Sequence, residues 1–199
     1  GSIEFYKKHT KDMLNYVDAP AGTNFATTLM ANVGEMDNKG VEFNINAVAI
    51  QSKDFTWEIG YNVTWNDSKI VKLTANYNPD YEGINAGTNQ KHQVGFAPNT
   101  FYLYQQVYDS EGNPIQNAIV DRNGDGKITE DDRYLTGKSP MAKVYMGLSS
   151  QFTYKNWDLG FNMRASLGNY VYNGNLSGNA TSYNYGGQGI LSNLYKGYQ

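Results

Sequence analysis

The amino-acid sequence predicts an all-β fold, an antiparallel meander of long hairpins forming part of a transmembrane β-barrel. Three observations carry this. Apolar and polar residues alternate with period two over long runs. Aromatic residues gather at the ends of those runs. Short polar turns join the runs on one side, with long stretches rich in Gly, Asn, Ala and Ser on the other.

Taken in order, Asp18 to Ala31 reads as a first long loop. From Val41 to Ile50 the odd positions are Val41, Phe43, Ile45, Ala47 and Ala49, facing away from Glu42, Asn44 and Asn46. The break Ser52-Lys53-Asp54 follows. Then Phe55, Trp57, Ile59, Tyr61, Val63 and Trp65 alternate with Thr56, Glu58, Gly60, Asn62, Thr64 and Asn66. Strand character runs to near Leu73, and an insertion of about 75–141 separates this hairpin from the next. A structureless stretch of that length is unusual in a compact domain, so Phe101 to Tyr108 is expected to form a strand reaching into the sheet. Val144, Met146, Leu148, Phe152 and Tyr154 then alternate with Tyr145, Gly147, Ser149, Gln151 and Thr153. After the turn Lys155-Asn156, Trp157, Leu159, Phe161, Met163, Ala165 and Leu167 do the same. The expected pairings are 39–51 with 55–67 and 143–154 with 157–168. From Asn173 onward the chain reads as another long loop.

The aromatics argue for a membrane. Phe55, Trp57, Phe152, Tyr154 and Trp157 crowd the short-turn ends, where an interfacial girdle would lie. Trp65 sits further along the face of Phe55, a distance that projects to about 25 Å at a tilt of roughly 40°, the height of a barrel's apolar band. The alternative is a secreted carbohydrate-binding β-sandwich with a calcium-stabilised loop. In a sandwich Phe55, Trp57, Val63 and Trp65 would pack against a second sheet; in a barrel they would face outward.

Composition narrows the chemistry. A net charge of −3 leaves no electrostatic footprint for nucleic acid. Cysteine is absent, which removes disulfides and thiolate chemistry. No apolar run is long enough for a membrane helix, a test that barrel strands escape. His9 and His92 stand alone, no nucleophile–base set is visible, and the stretch Tyr185 to Gly189 lacks the context of a phosphate cradle. No enzymatic activity is expected. Gly1-Ser2 reads as the remnant of a cleaved tag, leaving a partial barrel domain over 3–199 with both ends cut from a longer chain.

One motif carries metal chemistry. Asp121 to Asp132 fits the twelve-residue calcium-loop template, with side-chain oxygens from Asp121, Asn123 and Asp125 at positions 1, 3 and 5. Gly126 allows the turn, Lys127 would offer its carbonyl, and Asp132 takes the place where an EF-hand has Glu. An Asx-rich turn without metal has the same composition, so Ca²⁺ remains one of two readings.

The order of segments resembles the SusC/RagA-type TonB-linked outer-membrane proteins. Tyr6-Lys7-Lys8-His9-Thr10-Lys11-Asp12-Met13-Leu14 is similar to the family's Y-x-K-x-T-x-D-x-L strand. Asn32-Val33-Gly34 and Asn38-Lys39-Gly40-Val41-Glu42 resemble its N-x-G and N-K-G-x-E stretch. Asp54-Phe55-Thr56-Trp57 with Asn62 to Asn66 resembles the next strand, and Asp121 to Asp132, followed by Gly137 and Pro140, its D-x-N-G-D-G-x-I-x-x-x-D loop. The likeness runs from Ile3 to about Tyr172. It implies a C-terminal barrel fragment of an importer in the bacterial outer membrane, without the plug domain and TonB box through which the TonB system acts. The family pairs with a SusD-like surface lipoprotein and takes up oligosaccharides or peptides. The polar strand face would then line the lumen and the long loops would touch the lipoprotein.

Overall fold

The computed structural model describes residues 1–19, 22, 25, 27–74 and 83–174. The tail read above as a loop, including Tyr185 to Gly189, lies outside the described residues apart from its first two positions. Two compact units emerge: Gly1–Tyr102 with Leu135–Tyr170, and Leu103–Tyr134 with the segment from Val171.

The first unit is built on five long strands: β1 (Ser2–Asp18), β2 (Thr28–Gln51), β3 (Phe55–Leu73), β10 (Val144–Tyr154) and β11 (Trp157–Leu167). They form one antiparallel sheet in the order β1-β2-β3-β10-β11. Both expected hairpins are present, with Lys39 opposite Asp67 in one and Val144 opposite Leu167 in the other. β3 and β10 pair in turn, Trp65 facing Val144 and Phe55 facing Tyr154, so the hairpins fuse into one surface. The two short turns are tied as well: the Lys155 N–H donates to the Asp54 carbonyl at 2.9 Å.

Short β4 (Ile84–Asn85), β5 (Gln90–His92), β6 (Thr100–Leu103) and β9 (Tyr134–Leu135) make a second sheet. In the second unit β7 (Gln106–Tyr108) pairs with β8 (Pro114–Ile119).

Three expectations need correction. Thr28 to Ala31 belong to β2 and Asp18 to β1, so the first loop is shorter than its small, polar composition suggested. Phe101 to Tyr108 is split between β6 and β7, and neither joins the five-stranded sheet. A bulge between Val48 and Ile50 makes Ala49 the extra residue, so Ile50, opposite Trp57, continues the apolar column.

Register aligns the apolar residues into rows across the sheet. Phe5, Val41, Trp65, Val144 and Leu167 form one; Ile3, Phe43, Val63, Met146 and Ala165 the next; Ile45, Tyr61, Leu148 and Met163 a third. Phe55, Tyr154 and Trp157 close the face at the short turns. Trp57 stacks on Phe152 at 5.5 Å between ring centroids. Ser150, on the same face, is buried and accepts the Trp57 indole N–H at 2.8 Å, so its hydroxyl is not left bare. This face is uncovered: Trp157 is 78 % and Leu159 66 % exposed, and among the described residues no second sheet packs on it. A sandwich is therefore not the architecture. The described residues show an open sheet and no closed barrel.

The few buried apolar side chains sit towards the other end of the strands. Ile70 is 1 % exposed and Val33 4 %. Val71 is the extra residue where β3 changes register against β2, and the backbone of Ile70 bonds Gly95 and Phe96 there, which continue the edge of β3 past the end of β10.

Candidate functional surface

On the opposite face the same register collects polar groups. Glu4, Glu42, Thr64, Tyr145 and Ser166 form one row; Asn44, Asn62, Gly147 and Arg164 the next; Asn46, Gly60, Ser149 and Asn162 a third. Glu58, Gln151 and Gly160 follow, then Thr56, Thr153 and Asp158. The middle of this face is a shallow concavity of about 380 Å³ bordered by Asn46, Glu58, Ser149, Gln151 and Asn162. Four carboxylates, Glu4, Glu42, Glu58 and Asp158, face one guanidinium, Arg164. These rows offer many hydrogen bonds and carry a local excess of negative charge, with Lys8 further along the same face.

Glycine shapes this face. Gly40 lies between Tyr6 on β1 and Asn66 on β3. With no side chain in the way, the Tyr6 ring crosses it and its hydroxyl donates to Asn66 Oδ1. A Cβ on Gly40 would come within 2.5 Å of the Trp65 carbonyl oxygen. The spacing of Tyr6, Gly40 and Asn66 thus has a physical reason: one aromatic ring bridges three strands only if the middle position is bare. Gly147, beneath the Asn62 amide, repeats the device with a smaller partner.

The second candidate is the loop from Asp121 to Asp132, in the second unit. All five residues singled out from the sequence lie on it, and each makes a hydrogen bond within the loop through its side chain or backbone. Asp121 accepts the Gly124 and Gly126 N–H groups at 2.7 and 2.8 Å, one on each oxygen. Asn123 Oδ1 accepts the Asp125 N–H at 3.0 Å, and Asp125 Oδ1 accepts the Lys127 N–H at 2.8 Å. Gly124 and Gly126 take φ of 75° and 79°, the left-handed region that glycine enters without strain. Asp132 is buried and accepts from Thr129 at 2.7 Å and from Arg122 at 2.8 Å. These amides, Thr129 first, hold its carboxyl below the usual carboxylate range against the opposing effect of burial. Among the described residues no three His, Cys, Asp or Glu side chains converge on a common point. The side-chain oxygens of Asp121, Asn123 and Asp125 each accept an N–H from the loop itself, so the described donors close on the loop's own amides.

Neighbours clamp the loop. The Arg122 guanidinium lies 4.5 Å from the centre of the Tyr134 ring and donates to Gln105 Oε1 at 2.7 Å. Arg133 pairs with Glu130 at 2.7 Å and faces the Tyr104 ring.

The histidines are less isolated than the sequence suggested. His9 contacts Asp37 at 2.5 Å and Glu35 at 3.2 Å across the β1–β2 ladder. His92 accepts the Asn99 N–H at 3.2 Å, and burial holds its imidazole below the ordinary pKa. The ladder places His9 beside its partners, a juxtaposition that only the register reveals.

No family model matches the chain. The TonB-dependent receptor SusC of Bacteroides thetaiotaomicron is 48 % identical over 97 % of this chain. The chain belongs with the SusC-type TonB-dependent receptors. Two further members, the TonB-dependent receptors P3 and P26 of Formosa agariphila, are 29 % and 30 % identical over 86 % of it. The chain spans about a fifth of the length of these SusC-type relatives. Among solved structures, the RagAB peptide transporter aligns over 83 % of the chain and 19 % of its own with a TM-score of 0.65 at 24 % identity. The RagAB peptide importer in its open-open state aligns with a TM-score of 0.67 over 84 % of the chain and 18 % of its own, at 23 % identity. That likeness is one of fold.

Proposed function

We propose that this chain is a section of wall in an outer-membrane importer, its apolar face against lipid and its concave polar face lining the solute path. The observation that carries this is the apolar surface spanning five strands, uncovered and bounded by aromatics at the short-turn end. The SusC-type relatives add TonB-dependent uptake to the reading, with an oligosaccharide or peptide as solute and a SusD-like surface lipoprotein as partner on the long-loop side. The hydrogen-bonding rows, with their local excess of negative charge, support a neutral or cationic solute.

The chain contains no cysteine, which gives a direct test. Val63→Cys and Asn62→Cys are introduced separately into the full-length protein, with any cysteine outside this chain replaced by Ser, in intact outer membranes. A water-soluble maleimide is expected to label Asn62→Cys and spare Val63→Cys, which lies among the apolar rows. Equal labelling of both would contradict the lipid-facing assignment.

For the loop, the reading is that Ca²⁺ binds through Asp121, Asn123, Asp125, the Lys127 carbonyl and Asp132. What supports it is the oxygen donor set and the glycine at position 6. Calorimetric titration of chelator-treated protein with calcium should show binding, at dissociation constants up to about the millimolar range of extracellular sites. The Asp121→Ala/Asp125→Ala variant should lose it. If parent and variant titrate alike, the loop is only a turn.

A further inference from the structure

The apolar rows end at Phe5, Val41, Trp65, Val144 and Leu167, and the same face continues as a charged field on the first three strands. Lys7, Lys39 and Asp67 form its first row, and His9, Asp37 and Lys69 its second. Glu35 and Lys72 pair beyond these, with Lys11 near enough to act on the Glu35 charge. Five lysines therefore meet three carboxylates here.

Position within the field separates the two kinds of charge. Asp67, Asp37 and Glu35 are half-buried and already engaged: Asp67 with Lys39 at 3.4 Å, Asp37 with His9, and Glu35 with His9 and with Lys72 at 3.3 Å. All five lysines are exposed. Among the described residues the side chains of Lys7, Lys11 and Lys69 make no hydrogen bond or ion pair, and Lys7 stands directly opposite Lys39. Like charges facing across a ladder destabilise it unless an anion lies between them.

We propose that this field is a headgroup site for a phosphorylated membrane lipid, a proposal that rests on the lipid-facing reading of the rows below it. Phosphate oxygens suit ammonium groups presented as point charges at a membrane boundary. Continuity with the apolar rows selects a lipid over a free anion. Acyl chains would lie along Phe5, Val41 and Trp65 while the phosphate meets Lys7, Lys11, Lys39 and Lys69; inorganic phosphate would gain only exposed, screened charges.

The test uses the full-length protein in nanodiscs, titrated with diphosphoryl lipid A and with its dephosphorylated form. The intact protein should retain the phosphorylated lipid about tenfold or more over the dephosphorylated one. Lys7→Gln/Lys11→Gln/Lys69→Gln should abolish that preference, and Lys53→Gln/Lys155→Gln at the short turns should keep it. Inorganic phosphate at equal concentration should not displace the lipid. Equal retention of both lipids, a preference that survives the triple variant, or displacement by phosphate overturns the headgroup site. Insertion without preference sinks the headgroup site alone, whereas failure to insert into the bilayer removes the lipid-facing reading along with it.

Discussion

Met163→Arg is expected to destabilise the full-length protein in lipid vesicles by about 2–4 kcal/mol, the cost of a guanidinium near the bilayer midplane. Met163 sits in the middle of the apolar column of β11, opposite Leu148, and is 54 % exposed. Its neighbour Asn162 points to the polar face, opposite Ser149, so Asn162→Arg should be nearly neutral. Denaturant unfolding in vesicles measures both. The contrast is informative because adjacent residues share secondary structure, strand partner and height, and differ only in face. If the two variants cost the same, the two faces do not meet different solvents.

Gly40→Ala carries the second large effect, about 1–3 kcal/mol, typical of forcing a methyl group into filled space. The new Cβ would press on the Trp65 carbonyl as well as on the Tyr6 ring, and a backbone atom cannot swing aside. Tyr6→Phe isolates the hydroxyl and should cost only about 1 kcal/mol, the ordinary net value of one hydrogen bond. The double variant Tyr6→Ala/Gly40→Ala should remain less stable than Tyr6→Ala, because the clash with Trp65 persists. A Gly40→Ala protein as stable as its parent would show that the ring does not cross there.

The hairpins were legible because period two and a short polar turn determine both face and partner. What alternation could not show is where the register slips. Val48 and Ile50 are both apolar, so nothing in the pattern reveals that Ala49 is looped out. Ser150 breaks its column in sequence and is restored to it only by the Trp57 indole on the neighbouring strand. Thr28 to Ala31 lack alternation because they lie beyond the apolar rows, where side chains no longer need to choose between two environments. The calcium-type loop was legible as a loop from the spacing of its Asp and Gly residues. The engagement of Asp132 with backbone amides was not, since one carboxylate at position 12 serves a cation or a set of N–H groups equally well.

The seam between β3 and β10 has a kinetic side. Each hairpin closes across a few residues, whereas Trp65 meets Val144, and Phe55 meets Tyr154, across about eighty to a hundred residues of chain. Loop-closure entropy therefore favours the two hairpins as early folding events and leaves the seam to form last. The Trp57–Phe152 stack and the Trp57–Ser150 hydrogen bond both lie on that seam. Interactions that form after the rate-limiting step leave the folding rate alone and slow the reverse reaction. Such of these contacts as form after that step act as a latch, lengthening the life of an assembled wall without changing how fast it is made.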